Sequence, residues 1–515
     1  MNHVVIVGGG TAGSVLAARL SEDPHRQVTL VEAGASGDTP AELLDGGSIP
    51  AVVAGHPANW GYRGWLQPDA SHVVPRGRVL GGSSAINGGY FIRARPQDFD
   101  RWAEVSGPQW SYESALPFLK KLENDLDFGD DPGHGTAGPL RVRRPAQSGQ
   151  LASLFARAAQ ELGFAVEGDK NAGSGPIGVG PVPSNIIDGT RVNAAMAYLS
   201  DARERPNLVV VGDTRVLRIR IEGGKAVGVE TEREFIEADE VIVAAGSVAT
   251  PHLLMLSGIG PAAELEALGI ASMADLPVGQ GFSDHANVAV GWHSSADLDD
   301  RDERVAFPTA LNFDSSGRDG AAVDGDLEIL LVSKPTSVLF GASAAAVAGG
   351  GSGPASDVSE DEYQLLVALQ QPVARGHMTL ESSDPLVQPR IDYNYLHDER
   401  DRARLRVGVR TAATLLHSPS FAGTFAGFSS LSDDILTDDA LLDAWIASHL
   451  STAIHLSGSA AIGPVVDWQG RVHGVDALRV ADTSILPTVP SRGTFNTAVF
   501  IGEFVAHHMM QVGDE

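Results

Sequence analysis

The residues best placed to do chemistry open the chain, in HVVIVGGGTAGSVLAARLSEDPHRQVTLVEAG from His3 to Gly34. Gly8-x-Gly10-x-x-Gly13 follows Val4 to Val7, an apolar, β-branched run that suits a strand buried on both faces. Gly8 permits a tight turn, Gly10 lets the main chain approach a pyrophosphate, and Gly13 lets a helix pack closely on a sheet. Val15, Leu16 and Leu20 supply that helix's apolar spacing. Its N-terminus offers unpaired N–H groups and a positive dipole end to a diphosphate. A second strand, Gln27 to Val31, ends at Glu32, whose carboxylate can hydrogen-bond both ribose hydroxyls and disfavours a 2′-phosphate. The strand-helix-strand unit therefore predicts dinucleotide binding, with NAD and FAD both open.

Two other stretches stand out by residue type. Asn59 to Pro68, NWGYRGWLQP, carries too many aromatics for an idle loop. Pro75 to Arg95, PRGRVLGGSSAINGGYFIRAR, is too glycine-rich for an ordinary helix or strand and suits backbone pressed against a flat ligand.

Composition bounds the rest. At 515 residues the chain is long enough for two domains or one large composite. The absence of cysteine excludes disulfides, thiolate metal sites, a cysteine nucleophile and a flavin tethered through sulfur. No other metal-ligand set is read from the sequence. With 37 basic against 65 acidic residues, the net charge of -28 disfavours nucleic acid and anionic membranes as partners. No apolar run approaches the roughly 18 residues of a membrane span, and the sequence opens on a strand, so a cytoplasmic protein is expected. No internal repeat is evident.

Strands are predicted at Leu208 to Val211, Val216 to Ile221, Ala226 to Glu230 and Val241 to Ala245. Helices are predicted at Gln150 to Leu162, with Leu151, Leu154, Phe155, Ala158, Ala159 and Leu162 on one face, at Asp401 to Leu416, and at Asp439 to Leu450. Ser111 is a candidate N-cap for the helix in WSYESALPFLKKLE. From Asp284 the pattern turns strand-rich. Gly341 to Asp361 is low in complexity and reads as a hairpin tip in preference to a lid.

Gly77, Arg78, Leu80, Gly81, Gly82, Ser83, Ser84, Ile86, Asn87, Phe91, Ala94 and Asp100 match the first signature of the glucose-methanol-choline (GMC) oxidoreductases. GSVATPHLLMLSGIG, Gly246 to Gly260, matches the second. The sequence thus resembles a family of FAD-dependent enzymes, and HGTAGPLRV (His134 to Val142) and Gln370 to Leu396 are similar to it as well. The resemblance implies an α/β fold: a Rossmann-type FAD-binding domain built from discontinuous segments, plus a substrate-binding domain with a mainly antiparallel sheet. The boundaries expected are residues 1–284 for FAD, with part of 146–189 reaching toward the substrate domain, 285–454 for substrate, and 455–515 returning to the FAD domain.

It further implies FAD contacts at Gly8, Gly10, Thr11, Ala12, Gly13, Glu32, Ala33, Trp60, Arg78, Gly82, Ser83, Asn87, Gly88, Val216, Asp482, Thr483, Thr494 and Phe495. The position used by histidyl-linked members is Ile86, so non-covalent FAD is expected. His455 matches the active-site histidine, which distinguishes it from the other members of a set of 16. Neutral imidazole is suited to removing a hydroxyl proton near pH 7 while hydride leaves the same carbon for flavin N5. His449, in a stripe with Leu442, Trp445 and Ile446, reads as a packing residue.

The family's second catalytic position, normally His or Asn, falls on Gly493, with Asn496 one helical turn later. Three readings stay open: Asn496 supplies a substrate-facing amide, Arg492 stabilises an anion, or Asn496 caps the helix and no second partner exists. The function expected is oxidation of a small alcohol by FAD, with oxygen, a quinone or another carrier as electron acceptor. Its rivals are a hydroxynitrile-lyase-like enzyme with non-redox FAD, a non-catalytic flavoprotein, and an NAD-dependent dehydrogenase. The aromatic content, 6%, does not favour an aryl-lined pocket.

Overall fold

A computed structural model describes residues 2–145, 149–296, 298, 304–316, 325–340 and 362–511. The stretch Gly341 to Asp361 lies outside them.

The first apolar strand, Asn2–Val7, is central in a five-stranded sheet. It pairs in parallel with Arg26–Val31 on one side and Glu240–Val243 on the other, and Leu208–Val211 and Leu478–Val480 complete the edges, also in parallel. Parallel pairing requires a crossover between neighbours, so the sheet draws strands from the beginning, middle and end of the chain. Val4, Val5 and Ile6 are fully buried, as a strand covered on both faces must be.

Helix Thr11–Leu20 crosses one face and packs on the C-terminal helix Phe495–Gln511. Gly502 makes that approach possible, because a Cβ there would lie 2.7 Å from Val15 Cβ. Arg19 then reaches the buried Glu503 at 2.7 Å, and the Tyr198 hydroxyl donates to the same carboxylate at 3.0 Å. Burial alone would raise the Glu503 pKa, but Arg19 and Lys121 outweigh it and hold the group below its ordinary value.

Every strand pairing in the seven-stranded sheet is antiparallel. Its order is Phe425–Phe428, Ala286–Ser294, Glu362–Leu369, Leu327–Val332, Thr309–Phe313, Val179–Pro181, and Leu450–Thr452 also pairs with Ala286–Ser294. Alternation sends Val288, Val290, Leu365 and Val367 into a core under helix Glu399–Leu416. Gly408 lets that helix close on the sheet, since its Cβ would meet Val367 at 2.5 Å. The opposite face presents Asn287, Ala289, Glu328, Leu330, Leu366 and Ala368 to a cavity. A Rossmann-type sheet from discontinuous segments and a mainly antiparallel second sheet are thus what the chain builds.

The local elements agree with their sequence signals to within a few residues. The predicted helices are Gln150–Glu161, Glu399–Leu416 and Asp439–Ser448, and the strands Leu208–Val211, Val216–Glu222, Lys225–Thr231 and Glu240–Val243. Ser111 accepts from the Ser114 N–H as an N-cap. The first-signature stretch anchors itself through Arg93, which donates to Glu123 at 2.5 Å. Glu123, Asp125 and His134 hold donor atoms close enough for a metal ion, but cations of the protein take those oxygens: Arg93 on Glu123, and Arg144 on Asp125 and Asp169. Burial would lower the His134 pKa, yet hydrogen bonds to Asp125, Asp169 and Glu123 raise it to about 10, making His134 a further cation of the lock.

Candidate active site

Between the two sheets lies a cavity of ≈ 960 Å³. At one end, two glycine loops touch. The Gly81 N–H donates to Gly9 O at 2.8 Å, and a Cβ on Gly82, whose φ is +54°, would lie 2.7 Å from Gly10 Cα. Helix Thr11–Leu20 starts here with no side-chain cap, so its first-turn N–H groups face the cavity. Glu32 accepts the Gly9 and Gly34 N–H groups at 2.8 Å each, and burial pushes its carboxyl up to about 7. An uncapped helix end in a glycine cradle, with a fixed carboxylate one strand away, fits the diphosphate and ribose of a dinucleotide.

Most predicted cofactor contacts line this space: Gly8, Gly10, Thr11, Ala12, Glu32, Ala33, Trp60, Gly82, Ser83, Asn87, Gly88, Val216, Asp482, Thr483, Thr494 and Phe495. Two do not. Gly13 is buried against the turn, where a Cβ would stand 1.9 Å from Gly8 O, so its part is packing. Arg78 stands a layer back, its guanidinium 5.0 Å over the Trp60 ring, which Arg215 covers as well at 5.2 Å. The Asp482 carboxylate is already committed, accepting from the Gly246 N–H at 2.8 Å and the Thr250 hydroxyl at 2.6 Å. It caps helix Gly246–Leu256, leaving only its remaining surface to the cavity. Ile86 also lines the cavity.

At the other end His455 lies on the turn after Leu450–Thr452. Ile454 before it takes φ +67°, a strained conformation for a β-branched residue, and three contacts hold it there. The buried Asp284 accepts the His455 N–H and the Thr452 hydroxyl at 2.7 Å each, while Arg76 donates to Ile454 O at 2.6 Å. Burial raises the Asp284 carboxyl to about 6.

The imidazole's protonation follows from its partners. His285 Nε2 lies 2.9 Å from Pro490 O, and a carbonyl only accepts, so Nε2 carries the hydrogen. Burial lowers the His285 pKa to about 4, which leaves its Nδ1 bare. That nitrogen is 2.9 Å from His455 Nδ1, which must therefore donate to it. Burial, with His285 and Arg76 adding to it, holds His455 well below 6.5 and neutral. His455 Nε2 is then a free lone pair, and His455 lines the cavity.

Of the three readings for a second partner, the contacts support neither named residue, and Asn496 does not cap the helix: it is the helix's second residue and its side-chain oxygen accepts no hydrogen bond among the described residues. Asn496 is fully buried in helix Phe495–Gln511, with neither amide atom hydrogen-bonded among the described residues, and it is not part of the cavity wall. Arg492 is 1% exposed and consumed by Glu167 at 3.1 Å and by Asn312. Gly493 itself faces the site: a Cβ there would lie 3.7 Å from His455 Nε2. His449 stacks on Trp445 at 4.2 Å, as its stripe predicted, and also reaches the cavity rim.

Sequence reasoning missed His285, Asp284, Arg76, Tyr90 and Glu328. Asp284 and His285 are adjacent polar residues just before an apolar strand, a signal that was present; Glu328, alone in LEILLV, gave only an acid out of place in a buried strand.

The fold and site together are those of a dinucleotide-binding protein with a neutral imidazole at the other end of its cavity. The chain belongs to the GMC oxidoreductase family: residues 2–287 match its amino-terminal region and 372–502 its carboxy-terminal region. It is 39% identical to an uncharacterized GMC-type oxidoreductase of Rhodococcus erythropolis, over 99% of this chain and 98% of that one. It is 35% identical to the oxygen-dependent choline dehydrogenase of Brucella anthropi, over 98% and 95%. Pyridoxine 4-oxidase from Mesorbium loti superposes with a TM-score of 0.89 at 30% identity, covering 99% of both chains. Among the described residues no helix is long and apolar enough to cross a membrane.

Proposed function

We propose that this chain is an FAD-dependent enzyme that oxidises a small alcohol, with His455 as the base. The carrying observation is the relay from Pro490 O through His285 to His455, which leaves Nε2 unprotonated toward the cavity. The names of the choline and pyridoxine relatives, both acting on alcohols, support the reading. In it, residues 1–284 hold the cofactor, 285–454 form the substrate wall, and 455–515 bring His455 between them.

FAD, when bound, supplies the hydride acceptor. Gly8, Gly10, Thr11 and Ala12 would hold its diphosphate, Glu32 its ribose, and Thr494 and Phe495, at a helix N-terminus, the edge where negative charge collects. His455 Nε2 takes the hydroxyl proton. His285 stabilises the resulting imidazolium only weakly, because it is neutral and buried, so the proton must pass on to solvent. Ile86 offers no nucleophile for a covalent link, so acid precipitation releases the flavin into the supernatant; flavin retained in the pellet contradicts this.

The test is anaerobic mixing of the yellow holoenzyme with an alcohol panel, followed by air. Bleaching by an alcohol supports oxidation, and a flavin that stays yellow with every alcohol points to a lyase or a non-catalytic role. His455→Ala, loaded with FAD to the same level, slows bleaching by about two to four orders of magnitude. Near-normal bleaching removes the base role.

A further inference from the structure

Next to His455, with Gly493 touching both, the cavity wall carries a hydrogen-bonded pair outside the relay. The Tyr90 hydroxyl donates to Glu328 Oε2 at 2.6 Å, and the Asn312 amide donates to the same oxygen at 3.0 Å. Both Tyr90 and Glu328 line the cavity. Behind them Lys170 Nζ contacts Glu167 at 2.6 Å and Asn312 Oδ1 at 3.0 Å, and Arg492 pairs with Glu167 and Asn312. Arg492, Lys170, Glu167 and Glu328 thus join Asn312 in one buried hydrogen-bonded cluster.

The backbone leaves room for this pair. A Cβ at Gly493 would lie 2.7 Å from Tyr90 Cδ1 and 2.8 Å from Cε1, so any side chain there would displace the ring. Sheet register adds the surroundings. Glu328 pairs across Ala368 to Asn287, whose side-chain oxygen is buried without a hydrogen-bond partner among the described residues. The next row along the same face is Leu330, Leu366 and Ala289. A polar row of acceptors therefore runs beside an apolar row, and both bonds to Glu328 fall on one of its two oxygens.

Building on the alcohol-oxidising reading above, we propose that Tyr90 and Glu328 form a substrate-recognition pair. The carboxylate, fixed through Oε2, accepts from a second donor on the substrate, a hydroxyl or an ammonium. The substrate's carbon skeleton lies against Leu330, Leu366 and Ala289. Tyr90 is the positioning residue, and Glu328 makes the contact. A substrate lacking the second donor leaves a buried carboxylate oxygen unpaired, which makes the pair a selector and not merely an anchor.

The experiment follows anaerobic flavin reduction of the holoenzyme by straight-chain alkanols, terminal diols and terminal amino alcohols of equal chain length. In the unmodified enzyme a diol or an amino alcohol is expected to exceed its alkanol by about 10- to 100-fold in kcat/KM. Tyr90→Phe keeps the ring and collapses that ratio toward one, chiefly by raising KM for the donor-bearing alcohol. Gly493→Ala displaces the ring and gives the same collapse. Glu328→Gln separates the donors: its oxygen stays with Tyr90 and Asn312 and its NH2 faces the substrate, so an ammonium preference is lost, whereas a hydroxyl, which can accept from that NH2, keeps part of its preference.

FAD content and Tm are measured on each variant, and if Glu328→Gln fails to fold, Tyr90→Phe decides alone. Equal rates for alkanols, diols and amino alcohols in the unmodified enzyme overturn the proposal. So does a ratio that Tyr90→Phe leaves unchanged. Failure of every alcohol to bleach the flavin instead overturns the parent reading, and this one with it.

Discussion

The strongest consequence of the site concerns His285, which touches His455 and lines no part of the cavity. Replacing it with Leu removes the acceptor of the His455 Nδ1–H. A buried donor left without a partner costs about 1–3 kcal/mol. The imidazole escapes that cost by moving its hydrogen to Nε2, where it can no longer accept a proton from the substrate. At about 1.4 kcal/mol per decade, flavin reduction should slow by about 5- to 150-fold.

His285→Asn supplies a side-chain oxygen at a comparable reach and should recover most of that loss. Stopped-flow bleaching under anaerobic conditions measures the rate, and FAD content and Tm show that the variants are folded. A folded, FAD-loaded Leu variant that bleaches within about twofold of the unmodified enzyme would refute the tautomer argument, as would an Asn variant no faster than Leu.

Two further outcomes follow from the same geometry. His455 is held below its ordinary value of 6.5 by burial, then by His285 and Arg76, and only its neutral form accepts a proton, so the rate falls as pH drops through the depressed pKa. The limiting rate of flavin reduction should therefore be flat above pH 6.5 with its acid limb below; an acid limb centred at or above that value contradicts the assignment. Gly13→Ala would place a Cβ 1.9 Å from Gly8 O, a backbone atom that cannot give way, and should cost about 1–3 kcal/mol and much of the bound FAD. Unchanged Tm and FAD stoichiometry would show that the turn relaxes freely.

Sequence by itself determined what depends on neighbours a few positions away. The β-branched run before Gly8, the helical spacing after Gly13 and the caps and stripes of the later helices are short-range patterns, and the elements form where those patterns lie. The glycine cradle was legible too, because a backbone that must touch other backbone admits no Cβ. Family resemblance extended this to His455 and to the cofactor contacts along part of the cavity wall.

Only the tertiary structure decided which polar groups meet. His285 and His455 are 170 positions apart, and their bond fixes the proton that makes one of them a base. Asn496 and Arg492 stood beside the expected position in sequence, yet packing buries the first and a buried polar cluster consumes the second. Gly493 leaves a space that Tyr90 fills from the far end of the chain. Hydrogen bonds and charge pairs at this site join segments brought together by sheet packing, and a one-dimensional pattern carries no record of which partner arrives.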